Sequence, residues 1–187
     1  METISHAGGA IHLVGNGGFA TVQEAVDAAQ DGDVILIAPG SYAEDVSLDV
    51  AVSLIGAGAD PSEVTLGSVS TATGASGLDA ATGTLRVENM TLDAAAGSAN
   101  VGLRYTGSRD GTANPLAALV VADVAITGYD QAGVLVNGGG TGLSVSFTDV
   151  DLSQNGLAPT SGGSGDITLF EFLGDADFLR VTAEGSG

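Results

Sequence analysis

The stretch FATVQEAVDAAQDGDVILIAPGSYAEDVSLDVAVSLIGAG, Phe19–Gly58, decides the fold. Thr21 and Glu24 form a Thr-x-x-Glu capping box, which marks a helix start. Val22, Ala25, Val26 and Ala29 recur at i, i+3, i+4 and i+7, so that helix has one apolar face. Asp31-Gly32 is expected to stop it, because glycine accepts the left-handed conformation a helix end needs. VILIAPG at Val34–Gly40 is then echoed eighteen residues on by VSLIGAG at Val52–Gly58. A short amphipathic helix ahead of similar strands predicts a lid on the open end of a stack of parallel strands.

Further along, a second theme recurs. LRVENMTL (Leu85–Leu92), LVVADVAI (Leu119–Ile126) and VSFTDVDL (Val145–Leu152) share the pattern apolar-x-apolar-x-(Asn/Asp)-apolar-x-apolar. Their third positions are Val87, Val121 and Phe147, at steps of 34 and 26 residues. LRVTAEG at Leu179–Gly185 reads as a fourth copy through Val181, with Ala183 after it where Asn or Asp is expected. Steps of this length, with one or two short strands each, are the mark of a solenoid. Asn89, Asp123 and Asp149 are expected to stack at a bend, where short polar side chains bond backbone groups of the turn. The predicted class is all-β: a right-handed, single-stranded parallel β-helix with a short N-terminal capping helix. The expected organisation is one domain over 1–187, with the helix region at 19–32 and coils over 33–187. It reads as the N-terminal part of a longer protein or as a chain that associates end to end.

Composition narrows the partners. The chain has 23 acidic residues against four arginines and no lysine, a formal net charge of −19. Nucleic acid and anionic membranes need basic surface, so neither is an expected partner. No run of apolar residues is long enough to span a bilayer, so no membrane insertion is expected. The absence of cysteine excludes disulfides and thiolate metal sites. Asp outnumbers Glu 16 to 7, which suits turns first and hard cations such as calcium second. METISHAGGA at the start lacks the basic and apolar regions of an ordinary signal peptide.

Thr21, Gln23, Ala25 and Val26, followed by Gly40, Tyr42 and Glu44, resemble the start of right-handed parallel β-helix proteins of the pectin-lyase-like class. The pattern is that of pectin methylesterase-like helices: (Thr/Ser)-x-Gln-x-Ala-(Val/Ile), then Gly-x-Tyr-x-Glu. The match covers about 40 residues. The catalytic motifs of those esterases, a Gln-Ala-Val-Ala segment, two Asp motifs and an Arg before Pro-Trp, are absent from the second half. The resemblance implies a β-helix fold, an extracellular or cell-surface setting and a polysaccharide partner.

Three functions follow as expectations. The leading one is a non-catalytic, polysaccharide-binding module of a secreted or surface bacterial protein. The second is a carbohydrate-active enzyme: an esterase, or a calcium-dependent polysaccharide lyase or epimerase. Calcium would neutralise a uronate carboxylate and a neighbouring base would take the adjacent proton. Asp123 and Asp149 are the candidate calcium ligands, and Arg104, with those two, the catalytic candidates. The third is a passive stalk or adhesin segment. Tyr42 and Glu44 are candidate substrate contacts through the motif, although packing of the first coil is their first expected role. Tyr105 and Tyr129 are candidates because exposed tyrosines make sugar platforms, although core or turn packing is their first expected role. His6 and His12 are too few for a metal centre and read as surface or strand residues.

Overall fold

The computed structural model describes residues 3–6, 9–71, 83–106, 116–139, 142–156 and 165–185. These residues are all-β apart from one short helix and two 3-10 turns. In order, the elements are β1 (Thr3–His6), β2 (Gly9–Val14), α1 (Val22–Asp27), β3 (Val34–Ile37), β4 (Gly40–Leu48), β5 (Ser53–Gly56), β6 (Val64–Thr71) and β7 (Gly83–Asp93). They continue as β8 (Val101–Thr106), β9 (Leu116–Thr127), β10 (Ala132–Gly139), β11 (Ser144–Ser153), β12 (Gly165–Phe172) and β13 (Asp175–Glu184).

All thirteen strands belong to one open sheet. Among them, β1 and β2 pair antiparallel, and every other described pairing is parallel. Parallel neighbours cannot be joined by a tight hairpin. Here the chain solves this by alternating between two ladders. One runs β2-β3-β5-β7-β9-β11-β13. The other runs β4-β6-β8-β10-β12. Strand β6 also touches β7 at Thr65↔Thr91 and Leu66↔Leu92.

Register puts like residues in columns. His12, Ile35, Leu54, Val87, Val121, Phe147 and Phe178 lie abreast across the first ladder. All but the last are buried, whereas Phe178 is 50% exposed. Beyond a bend, Met90, Val124, Val150 and Val181 form a second column. Between the two columns Asn89, Asp123, Asp149 and Arg180 take φ of 54°, 52°, 53° and 52°. This is left-handed backbone, which Asn and Asp tolerate better than most residues. Asn89 serves the turn as expected: its Nδ2 donates to the carbonyls of Gly56 (2.9 Å) and Gly58 (2.8 Å).

Two sequence alignments need correction. Val34 pairs with Ser53 rather than Val52, a step of nineteen residues. The similarity of VILI and VSLI favoured the shorter step. Pleating decides otherwise, because a slip of one residue exchanges inward and outward faces. Ile35 and Leu54, both fully buried, must share the inward face. Likewise the last copy aligns through Phe178, which lies on Phe147, and Val181 falls under Val150. The bend position of that copy is therefore Arg180. The spacing to Val181 misleads because Leu179 and Val181, on either side of the bend, are both apolar.

Helix α1 has the predicted capping box: Thr21 Oγ1 accepts from Glu24 N at 3.1 Å. The Glu24 carboxylate in turn accepts from Thr21 N at 3.3 Å. Val22, Ala25 and Val26 are buried, and the helix packs on β2, β3 and β4. It ends at Asp27, with Ala28 as its cap, earlier than Asp31-Gly32. Gly32, with φ +87°, instead turns the chain into β3.

Candidate functional site

The residues of the opening motif turn inward on the chain itself. Glu44 stands on β4 beside the start of α1. Its Oε1 accepts from Val22 N (2.9 Å) and its Oε2 from Gln23 N (3.0 Å). These are two of the amides a helix start leaves without partners, and the carboxylate also opposes the positive end of the helix. Gln23 clasps the backbone of Ser47, accepting from its N at 2.8 Å and donating to its O at 3.0 Å. Tyr42 Oη donates to Ala38 O at 2.9 Å, closing the turn between β3 and β4. Burial, and then the Glu44 charge, push the Tyr42 phenol upward. Gln23 and Glu44 thus join helix to sheet, Thr21 caps the helix, and Tyr42 holds the turn that leads into β4.

Tyr105 and Tyr129 lie fully buried, as core packing requires and an exposed sugar platform does not. Tyr105 alternates inward with Leu103 on β8, and burial pushes its phenol up to about 12. Tyr129 donates its hydroxyl to Gly67 O, and burial followed by the charges of Asp93 and Asp45 raises it further. A flat sugar platform at these positions is therefore corrected. VGLRYTG is a short strand between glycines, and its alternation places Tyr105 on the inward face.

Asp123 and Asp149 are adjacent in register, as predicted. Arg104 is not among their neighbours. It lies on the other ladder, abreast of Ser70 on β6 and Leu135 on β10. The cation at the acidic column is Arg180, whose Nε and Nη2 donate to the two oxygens of Asp149. This holds the Asp149 carboxyl below its usual range. The base, carboxylate and cation set expected for lyase chemistry is thus split between the two ladders.

Arg104 instead lines a groove of about 360 Å³ together with Asp45, Ser47, Ser68, Ser70 and Thr71. Alternation on β8 explains its direction: Leu103 and Tyr105 point inward and Arg104 between them points out. Among the described residues, Arg86 is paired with Glu88 and Arg180 with Asp149, while Arg104 has no ion pair. Asp45 sits at a register shift between β4 and β6. Its Oδ1 accepts from Ser68 Oγ (2.9 Å), and its Oδ2 from Ser98 N (2.9 Å) and Ser98 Oγ (2.8 Å). Burial opposes ionisation of Asp45, but these bonds from Ser98 and Ser68 prevail and keep its carboxyl below the usual range. Gly97 leaves the space for it, since a Cβ there would stand 2.2 Å from Asp45 Oδ1. Thr71 is itself engaged, accepting from Thr106 N at 2.9 Å.

The groove therefore presents one guanidinium, one oriented carboxylate and several hydroxyls. That set can receive an anionic group beside hydroxyl-bearing ligand atoms. Sequence reading overlooked Asp45 and the serines. The available signal was small polar residues at matching outward positions in DVSL (Asp45–Leu48) and SVST (Ser68–Thr71).

His12 is a strand residue, on β2, and is buried, 5% exposed. Its Nε2 lies 2.9 Å from Asp33 Oδ2. Asp33 also accepts from Ala10 N (2.7 Å) and Gln30 N (2.9 Å). Burial raises the Asp33 carboxyl, and the bonds from His12, Gln30 and Ala10 more than offset that, leaving it below the ordinary value. Among the described residues no group of three His, Cys, Asp or Glu side chains is placed to hold a metal, and no helix is long and apolar enough to cross a membrane. Comparison of the chain with protein-family models, curated proteins and solved structures finds no match.

Proposed function

We propose that this chain is a right-handed parallel β-helix of the pectin-lyase-like class, acting outside the cell as a non-catalytic module that binds polysaccharide. The alternation between ladders supports the coiled reading, because each return to a ladder adds a parallel strand beside the previous one. The repeated left-handed bends support it too.

The observation that carries the functional reading is the Arg104 groove. A guanidinium with no ion pair among the described residues, on a chain of net charge −19, is placed to meet a carboxylate, and the surrounding Ser47, Ser70 and Asp45 suit sugar hydroxyls. The enzyme reading is weaker because Arg104 and the Asp123–Asp149 pair belong to different ladders.

The test is calorimetric titration of the intact chain with uronate oligosaccharides, with neutral oligosaccharides as the comparison. Binding of the acidic ligand that falls about tenfold or more in Arg104→Ala, at unchanged melting temperature, is the expected result. Absence of heat with every oligosaccharide would reject the binding reading in favour of a spacer. Release of methanol, or of an unsaturated uronate product, would restore the enzyme.

A further inference from the structure

The Arg104 groove is one-sided. Ser47, Ser70 and Arg104 lie abreast on β4, β6 and β8, and all three line it. The row they form crosses two strand spacings, about 10 Å. On the far side of Arg104 the next residue abreast is Leu135 of β10. Leu135 is only 4% exposed and packs with Val101 and Ala132 in a small apolar cluster. That side offers a ligand neither room nor a polar partner. A ligand held by the guanidinium therefore extends the other way, over Ser70 toward Ser47.

That direction leads to Asp45. It precedes Ser47 on the same strand, lies abreast of Ser68 and also lines the groove. Burial works against its charge, and the donors that outweigh burial, on Ser98, Ser68 and Ala99, are all neutral. The negative charge of Asp45 thus stays in the groove. Among the described residues Arg104 is the one cation lining it, and the two form no ion pair. A sugar hydroxyl beside Asp45 can donate to its carboxylate. A second carboxylate there has no proton to give and is repelled. The groove has a place for one acidic group and a penalty for the next.

Building on the saccharide-binding reading of this groove, on which the inference rests, we propose that its ligand is an otherwise neutral glycan bearing a single acidic sugar. The acid sits on Arg104, at the end or branch of the glycan, and neutral residues run over Ser70 and Ser47 beside Asp45. An evenly charged polyuronate is the poorer ligand, because one of its carboxylates gains the guanidinium while a following one meets Asp45. The selection is electrostatic, so it weakens as salt screens the repulsion.

Calorimetric titration of the intact chain with tetrasaccharides of equal length and different charge reads this directly. The probes are a glucuronic acid linked to xylotriose, tetragalacturonate, and neutral xylotetraose. The single-acid probe is expected to bind about tenfold or more tighter than either of the others. Asp45→Asn is expected to raise the affinity for tetragalacturonate about tenfold and to leave the single-acid probe within about threefold. Ser47→Arg is expected to raise it too, by a second cation, without touching the bonds of Asp45. Gln23 holds only the backbone of Ser47, so that clasp survives. In molar salt, where the screening length is about 3 Å, the preference should narrow. Tetragalacturonate bound as tightly as the single-acid probe, or gaining in neither variant, overturns the proposal while saccharide binding stands. So does a preference unchanged in molar salt, or xylotetraose bound as tightly as the single-acid probe. No binding of any of the probes overturns both.

Discussion

Glu44 gives the sharpest test of whether the opening motif serves structure or ligand. Glu44→Gln keeps an oxygen for Val22 N, now 2.9 Å from Oε1, but turns an amide toward Gln23 N, now 3.0 Å from Oε2. One charge-assisted bond is lost and two donors face each other. Such bonds contribute about 1.5–3 kcal/mol, and the half-exposed position favours the lower end. The expected cost is about 1.5–2 kcal/mol for Gln. Glu44→Ala removes both bonds but admits water, for about 2–3 kcal/mol. In a domain of this size each kcal/mol lowers the melting temperature by about 2–4 °C. Calorimetric melting should therefore fall by roughly 3–8 °C for Gln and roughly 4–12 °C for Ala. Oligosaccharide affinity per folded molecule should not change. A melting temperature within a degree of the parent, with affinity lost, would refute the reasoning and return Glu44 to the ligand.

Other perturbations follow from the same geometry. Phe147→Ala, which empties a fully buried site stacked on Phe178 at 5.3 Å, is expected to cost about 3–5 kcal/mol in urea unfolding. The folded-state pKa of Asp33 is depressed, so its contribution is complete above the unfolded value of about 3.9 and is lost as pH falls through the folded value. Urea midpoints recorded from neutral to strongly acid pH should drop in that window, and Asp33→Asn should be less stable at neutral pH with a shallower acid slope. Arg180→Ala is expected to return the Asp149 carboxyl toward about 3.9, read by carbon-detected NMR titration. An unmoved Asp149 would mean the guanidinium does not hold it.

The parts of the fold legible in the sequence are those written in short-range chemistry. Thr21 and Glu24 announce the helix through three residues of spacing, and Asn89, Asp123 and Asp149 announce the bend because few residues other than glycine take positive φ cheaply. Register was harder. VILI and VSLI look alike at either of two steps, and only the inward face of Ile35 and Leu54 separates them. Phe178 was passed over because its neighbours on both sides of the bend are equally apolar. The groove was hidden for a different reason. Arg104 and Asp45 are 59 positions apart, and serine carries no signal until strands lie side by side. Tyr105 and Tyr129 show the limit of residue type alone, since an aromatic ring suits a core as well as a sugar face.

The walk between ladders also orders assembly in time. Each strand from β5 onward rests on one made earlier, never more than a few dozen residues before it. During synthesis, α1 and β2–β5 have all their mutual partners once Gly56 has emerged from the ribosome, and every later segment finds a finished surface waiting. Growth can thus proceed in the direction of translation, with nascent chain added to the free edge as it appears. Circular permutation that moved the helix to the far end would reverse that schedule, leaving the stack to begin from its least protected layer.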